Sequence, residues 1–553
     1  MQNERIFNDP EDLVKILQET VDTFGDEITD RSQMPDPYEL HDMKEAVDIF
    51  TEVVANSEKI KLIIDSDYDG LGTYTLWYNF FTHFPYQNIE LLITDRKKGY
   101  GFIPEYVDDE TKLYITSDNG ITSIDATDAA NCKGARVIIC DHHQPDPGGL
   151  PMAAAIIDPY HPDDTFEPKE ISGTFVLWFF LKALMDKYNV GVDAFDEFLQ
   201  EVALTTISDV MPLTVPLNRF VIKTFVDKFC EEETSHRQYL NTFREQVNNK
   251  PTAESFAFGL IPMINATQRM TKADHGAMFL VAPDAKSSLD WFNYIKGLND
   301  ARKERQQTLL SYIEKYYKDY IKAPFIVVPG KFQKEYKGVL GIIAGNLARE
   351  KNKPCIILNY NADKKEYTGS GRSIGELNIL EVLRKNPYIQ NVGGHTAALG
   401  ITIKEDKFED FWTQLQKDIM QVPEHILKPE KEILGVIPMN KLSWDFFETI
   451  KQFEPFGHKF RKPVFKTTGV IKAASLMGKQ KNHLRFTLTD TKGLVKFEGV
   501  KFFTTDVPEK GETYEVFFTI TDDDYKGGEN IKIMAEDFKK ISKPEDVPPW
   551  EEV

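Results

Sequence analysis

The chain has 553 residues, 41% apolar and 28% charged, with a formal net charge of −21. At about 100–200 residues per domain the length suggests three or four domains, and the apolar content supplies several packed cores and excludes global disorder. A membrane protein is also excluded, because the longest apolar run, Phe175 to Leu181, stops at Lys182, far short of the roughly 20 residues of a span.

The opening residues MQNERIFNDPEDL are polar and acidic and carry no signal-peptide pattern. Residues 1–58 read as a helical segment, and Leu40, Met43, Ala46, Val47, Ile49 and Phe50 recur at near-helical spacing. Three apolar runs follow, each ending in acids or histidines. Lys61–Ile64 precedes Asp65, Asp67, Asp69 and Gly70; Leu113–Thr116 precedes Asp118 and Gly120; Ala135–Cys140 precedes Asp141, His142 and His143. Short continuous apolar strands alternating with helices predict a parallel α/β sheet. Ligands of such sheets bind beyond the carboxyl ends of the strands, where these polar residues should converge.

Helices are predicted over Ile171–Tyr188 and Val192–Leu204, the second leading to Asp209, and residues 218–320 read as mostly helical. Trp291–Lys318 is long and charged, a connector between lobes. A second α/β pattern starts at Phe325–Val328 and continues at Cys355–Leu358 and Leu399–Ile403. Beyond about residue 430 the pattern is β-rich: Pro463–Ile471, Leu484–Leu488, Val495–Phe503, Tyr514–Ile520 and Asn530–Met534 suit a small OB-fold-like barrel. Between Lys459 and Leu488 the chain carries Lys459, Arg461, Lys462, Lys466, Lys472, Lys479, Lys481 and Arg485 and no acid. A basic island in an acidic chain is either a solvated face or a local phosphate-binding surface. The predicted divisions are 1–58 (helical), 59–225 (parallel-sheet domain), 226–320 (helical connector), 321–428 (second α/β domain), 429–542 (barrel) and 543–553 (acidic tail).

One acidic turn after a strand is commonly just solvated, but four clusters at predicted strand or helix ends cannot lie together unless protons or cations neutralise them. Their oxygen and imidazole donors suit Mn2+ or Mg2+, and two such ions sharing a carboxylate would clamp an in-line phosphoryl displacement. Cys132, Cys140, Cys230 and Cys355 lack CxxC spacing, which argues against a zinc ribbon or disulfide framework and fits a reducing cytoplasm. His161, His236, His425, His458 and His483 show no ligand spacing and are expected at the surface.

The strings DSDYDG, SDNG, DHH and SDVMPL resemble the four motifs of the DHH phosphoesterase superfamily, and within it the RecJ family of 5′→3′ single-strand DNA exonucleases. The similarity extends to Pro35–Met43, to Phe258–Met270, to Gly338–Gly345, Gly369–Ser373 and Gly393–His395, and to Glu454–Gly457 before the barrel. It implies a two-lobed DHH core with a DHH-associated domain and a C-terminal OB-fold. By this resemblance Asp67 and Asp69 bind separate metals, Asp118 bridges them, and His142 and Asp209 complete the second site. Asp65 takes the first acidic place, His143 contacts the scissile phosphate or supports a ligand, and Asp141 orients the histidines. Ile63 stands where the related pyrophosphatases carry a metal-binding histidine.

Asn265, Arg269, Arg372, Ser373 and His395 resemble residues that hold substrate phosphates across the cleft, with Lys462, Lys479, Lys481 and Arg485 as barrel contacts. Ala266-Thr267-Gln268 and Tyr336-Lys337 depart from the family pattern. Phe460, Phe465 and Phe486 are either base-stacking faces or barrel core. The implied activity is release of nucleoside 5′-monophosphates from single-stranded DNA in the cytoplasm of a bacterium, or of its host if viral. A single-strand-binding protein or a helicase is an expected partner. The alternatives are an oligoribonuclease or cyclic-dinucleotide phosphodiesterase of the same superfamily, and a non-catalytic replication or repair scaffold. The acidic tail is inert, a partner-binding peptide or a DNA mimic folded onto the basic barrel.

Overall fold

The structure, a computed structural model, describes residues 5–146, 148–190, 193–231, 237–247, 252–394, 396–427, 432–478, 481–523 and 529–541. His395, Lys479 and the acidic tail lie outside the described residues. The chain divides into two compact units, Glu27–Pro423, and Met1–Asp26 together with Glu424–Val553.

The larger unit holds two sheets. β1 (Ile60–Ile64), β2 (Ile89–Ile93), β3 (Leu113–Ser117), β4 (Arg136–Cys140) and β5 (Ala155–Ile157) form an all-parallel sheet in the order β2-β1-β3-β4-β5. β1 and β3 are buried along their whole length, as their unbroken apolar runs require. The apolar-run reading missed β2 and β5; β2 is a half-buried edge strand and β5 has three residues. Helices Met43–Ala55, Tyr68–His83 and Gly173–Tyr188 supply the aromatic core, where Phe50, Trp77, Phe80 and Phe180 pack with ring centroids 5.8–6.4 Å apart. Each fully buried ring of this kind contributes about 1.5–3 kcal/mol. Trp77 donates its indole N–H to Ser117 Oγ at 3.0 Å, which ties the helix that follows Asp67 to the strand that precedes Asp118.

The predicted connector is a 32-residue helix, Ala285–Tyr316. Beyond it, β6 (Ile326–Gly330), β7 (Cys355–Asn361), β8 (Glu366–Arg372), β9 (Asn391–Gly394) and β10 (Ala398–Lys404) form a mixed sheet ordered β6-β7-β8-β10-β9. β8 reads poorly as a strand because it carries two glycines. Gly369 is needed there: a Cβ would sit 2.0 Å from Ile357 O.

In the smaller unit β11 (Gly435–Val436), β12 (Phe465–Met477), β13 (His483–Thr489), β14 (Lys496–Lys501), β15 (Thr513–Asp522) and β16 (Ile531–Lys540) run in the order β11-β12-β13-β14-β16-β15, and pairing of β12 with β15 closes the barrel. The segment read as 1–58 is divided by packing. Phe7 N–H donates to Val436 O at 2.8 Å and the Phe7 ring meets Phe465, so the first residues belong with the barrel. Phe460, Phe465 and Phe486 are buried core, not stacking faces. The Phe486 ring occupies the space over Gly499, where a Cβ would lie 2.2 Å from it. Among the described residues no helix is long and apolar enough to cross a membrane.

Candidate active site

The acids predicted at strand ends meet at the carboxyl edge of the parallel sheet. Asp65 follows β1, and its amide donates to Ser117 O at 3.2 Å. Asp67 caps the next helix, accepting from Gly70 N at 3.3 Å. Gly70 must be glycine, since a Cβ would lie 2.2 Å from Asp65 O. Asp69, in the first turn, is gripped from 104 residues away: its two oxygens accept from Gly173 N at 2.8 Å and Thr174 N at 3.0 Å. Those amides open the helix Gly173–Tyr188, an end that favours negative charge.

Asp118, just past β3, has the left-handed backbone φ of 62° and an amide bonded to Cys140 O at 3.0 Å. Its Oδ1 is buried without a hydrogen-bond partner and lies 3.2 Å from His142 Nε2. A Cβ on Gly173 would sit 2.4 Å from that same oxygen. His142 Nδ1 contacts Ile171 O at 2.8 Å, so that nitrogen carries a proton and Nε2 is the one that faces Asp118, Asp69 and Asp209, a ligand atom once it gives up its own proton. Asp141 accepts from His142 N, His143 N and His143 Nδ1, and its other oxygen accepts from Ile121 N. It orients both histidines and has little capacity left for anything else.

Three groups have donor atoms within 4.8 Å of one another: Asp65, Asp67 and Asp118; Asp69, His142 and Asp209; and Asp118, His142 and His143. The electrostatics fit a cation. Burial and the neighbouring Asp69 and Asp67 hold Asp118 well above the usual carboxylate range. Desolvation by the surrounding cluster, with Asp69 and Asp67 adding to it against His142, pushes Asp209 up to about 7, although its side chain keeps 39% of its surface accessible. Burial would depress His142, but Asp209, Asp69 and Asp141 outweigh it and raise it to about 9. Such a set binds protons when nothing else neutralises it.

Several contributors were not read from the sequence. Arg96 Nη2 lies 2.6 Å from Asp65 Oδ2 and 2.9 Å from Asp67 Oδ2, with its guanidinium over the Tyr100 ring at 5.5 Å. Tyr100 OH lies 3.3 Å from His143 Nε2. Both follow β2; recognising that strand would have put Asp95–Tyr100 at the same sheet edge. Arg302, from the long helix, was missed as well. Arg269 is pushed down to about 10 by burial and by the positive charges of Arg96, Arg302 and Arg372, against the pull of Asp67.

Of the predicted substrate residues, Asn265 accepts from Tyr68 N at 3.0 Å and so braces the first acidic loop. Arg269 reaches Gly338 O at 3.5 Å, and Arg372 Nη1 donates to Gly371 O at 2.8 Å. Ser373 donates its hydroxyl proton to Leu377 O at 2.5 Å. In the separate barrel unit Lys481 and Arg485 are exposed and Lys462 half-buried. Lys466 of the basic island is buried against Glu515 at 3.2 Å, so it does not face solvent phosphate. Among the described residues of this unit the exposed rings are Phe502 and Phe503, 49% and 77% accessible, each 5.2 Å from His483.

Residues 59–206 match the DHH family N-terminal domain, 325–421 the DHHA1 domain and 435–537 the RecJ OB domain. The single-stranded-DNA-specific exonuclease RecJ of Escherichia coli (strain K12) is 25% identical over 534 residues, 91% of each chain. The crystal structure of RecJ in complex with Mn2+ from Thermus thermophilus superposes with a TM-score of 0.75 at 23% identity, covering 92% of this chain and 72% of that one. The Mg2+ complex of RecJ from the same organism gives 0.69 at 21%, covering 91% and 71%. With these three domains in order along one polypeptide, the chain belongs to the RecJ-like group of the DHH phosphoesterase superfamily.

Proposed function

We propose that the protein is a metal-dependent exonuclease that degrades single-stranded DNA from the 5′ end to nucleoside 5′-monophosphates. The observation that carries this reading is the meeting of five carboxylates and two imidazoles from four separate motifs, with Arg269 within electrostatic reach of Asp67. On this reading residues 59–225 carry the chemistry, 321–428 hold substrate, and 429–542 bind the strand.

The residues fit two divalent cations, Mn2+ or Mg2+. Asp118 Oδ1 is buried and without a hydrogen-bond partner, His142 Nε2 points at the carboxylates as a ligand atom once deprotonated, and among the described residues no cysteine joins these groups. Asp65, Asp67 and Asp118 would hold one ion, and Asp69, His142 and Asp209 the other, with Asp118 shared. Bound there, the pair lowers the pKa of water and offsets charge on the phosphodiester.

The chain's own groups do the rest. Gly173 N–H and Thr174 N–H fix Asp69, and Asp141 holds the His143 ring so that Nε2 faces the cleft toward Tyr100. From there His143 can donate a hydrogen bond to a non-bridging phosphate oxygen. Arg269, Arg302 and Arg372 offer planar forks for the flanking phosphates, bidentate where geometry allows. In the barrel, Lys481 and Arg485 supply phosphate contacts while Phe502 and Phe503 offer stacking faces. A DNA end becomes available when strands are separated, so a helicase or single-strand-binding protein is the proposed protein partner, in the cytoplasm.

The test is degradation of single strands labelled at one end or the other, with Mn2+, by the wild type and Asp118→Ala. Prompt release of the 5′ label as mononucleotide, lost in the variant, is expected. Equal degradation by the variant, or prompt release of the 3′ label, overturns the assignment.

A further inference from the structure

Away from the catalytic cluster, on the same unit, two histidines that no sequence spacing pairs stand face to face. The rings of His41 and His161 are 4.2 Å apart and 15° from parallel. His161 is buried, not at the surface as its lack of ligand spacing suggested. Donor atoms of His41, His161 and Asp163 all lie within 4.8 Å of one another. We infer that these three residues form a further metal site, for one divalent transition ion of the Zn2+ type.

The pairing is built, not incidental. His41 N–H donates to Asp164 Oδ2 at 3.0 Å, and Asp164 Oδ1 takes Phe166 N–H at 2.6 Å. Asp42, held at φ 57°, accepts from Ile156 N on β5 at 3.0 Å. The turn carrying His161 is closed by His161 N–H to Asp158 O and Asp164 N–H to His161 O, both 2.9 Å. Two chain segments about 120 residues apart are thereby fixed so that their imidazoles meet.

Two independent features point to a cation. His41 Nδ1 is buried with no hydrogen-bond partner, although Asp42 Oδ1 lies 3.2 Å away out of line for one. A buried nitrogen lone pair or N–H left unmatched costs about 1–3 kcal/mol, which a ligand would recover. A cavity of about 400 Å³ opens beside His41 and Asp163, with the acidic residues Glu39, Asp42 and Glu45 also at its wall. The one lysine at its wall, Lys44, turns its ammonium to Asp48 at 3.1 Å. The local field is therefore negative.

Two imidazoles and a carboxylate without thiolate favour Zn2+, Co2+ or Ni2+ over Mg2+ or Ca2+, which prefer oxygen cages. With metal–ligand distances of about 2.1 Å, tetrahedral donors sit roughly 3.4 Å apart. Closing from at most 4.8 Å needs donor shifts of up to about 1.4 Å, a tilt of the stacked rings out of parallel so that both in-plane lone pairs aim at one point, and, where His161 ligates through Nδ1, loss of its 3.2 Å contact from Asp163 N–H. The ion would clamp the segment before the helix Met43–Ala55 to the loop after β5, a structural role that does not depend on the nuclease reading.

The experiment is equilibrium dialysis of the chelator-stripped full chain against Zn2+, with bound metal counted for the wild type, His161→Gln, His41→Gln and Asp118→Ala. Each histidine variant should hold one ion fewer than the wild type, while Mn2+-dependent nuclease activity stays at the wild-type rate. Zn2+ should also raise the melting temperature of Asp118→Ala but not of Asp118→Ala combined with His41→Gln. His41 is only partly buried, so its variant remains informative if His161→Gln misfolds. Equal Zn2+ counts in the wild type and His41→Gln overturn the site. A wild type that binds this ion yet degrades no DNA would refute the nuclease reading alone.

Discussion

A single methyl group should disable the catalytic cluster. Gly173 has no positive φ, so alanine is conformationally permitted and, by helix propensity, mildly preferred by up to about 1 kcal/mol. The objection is steric: the new Cβ would lie 2.4 Å from Asp118 Oδ1 and 2.8 Å from Asp118 Cβ, where ordinary contacts begin at 3.4 Å. About 1 Å of movement is required, and neither side yields easily. Gly173 N is bonded to Asp69 Oδ2 at 2.8 Å, and Asp118 N to Cys140 O at 3.0 Å. A misplacement of about 1 Å in a catalytic constellation costs about a hundredfold in rate, or about 3 kcal/mol of barrier. The overpacking itself costs about 1–3 kcal/mol of stability. The assay is initial mononucleotide release from 5′-labelled single strands at saturating Mn2+, alongside a thermal melt. Gly297→Ala is the control, since that helical glycine faces open space and should gain stability without losing rate. A Gly173→Ala enzyme within about threefold of the wild-type rate refutes the reasoning.

Two further outcomes separate effects that the structure distinguishes. Glu201 is fully buried, accepts from Tyr239 OH at 2.6 Å, and is pushed up to about 6 by burial against the opposing pull of Arg237 and Tyr239. A raised carboxyl group favours the fold in its protonated form, so this contribution is complete below about pH 4.5 and is lost as pH rises through about 6, a swing of about 2 kcal/mol. Glu201→Gln should therefore gain about that much relative to the wild type between pH 4.5 and 7.5 in urea titrations; a difference that is flat with pH contradicts the assignment. In the barrel, Phe503→Ala should weaken single-strand binding by ~1–3 kcal/mol with an unchanged salt slope, whereas Arg485→Ala should lower the slope by about 1. The same salt dependence in both variants would show that the two side chains do not play these separate roles.

Local pattern was enough to locate most of the fold. Uninterrupted apolar runs marked β1, β3 and β4, and the long charged helix was evident from its residues. Most acids and histidines of the cluster were legible because they follow closely on such a run, and Asp209 because it ends a predicted helix. Where local signal was weak, the reading thinned: β2 is an edge strand, β8 is glycine-rich, and a strand's period does not say which of its rings fill a closed barrel. Phe465 and Phe486 point inward because β12 and β13 curl into the barrel, while Phe503 stays outside it.

By itself, then, the order of residues along the chain determined the chemistry available: carboxylates, imidazoles and the strand ends that present them. Tertiary structure alone decided what each group does, because that depends on neighbours distant in sequence. The carbonyl of Ile171 sets the His142 tautomer, the amides at Gly173 and Thr174 hold Asp69, and Arg96 lies across Asp65 and Asp67. His41 and His161 carry no spacing that announces a pair; folding brings them together through hydrogen bonds to Asp42 and Asp164. Charge and lone pairs act through space over a few ångströms, and only the folded chain specifies those distances.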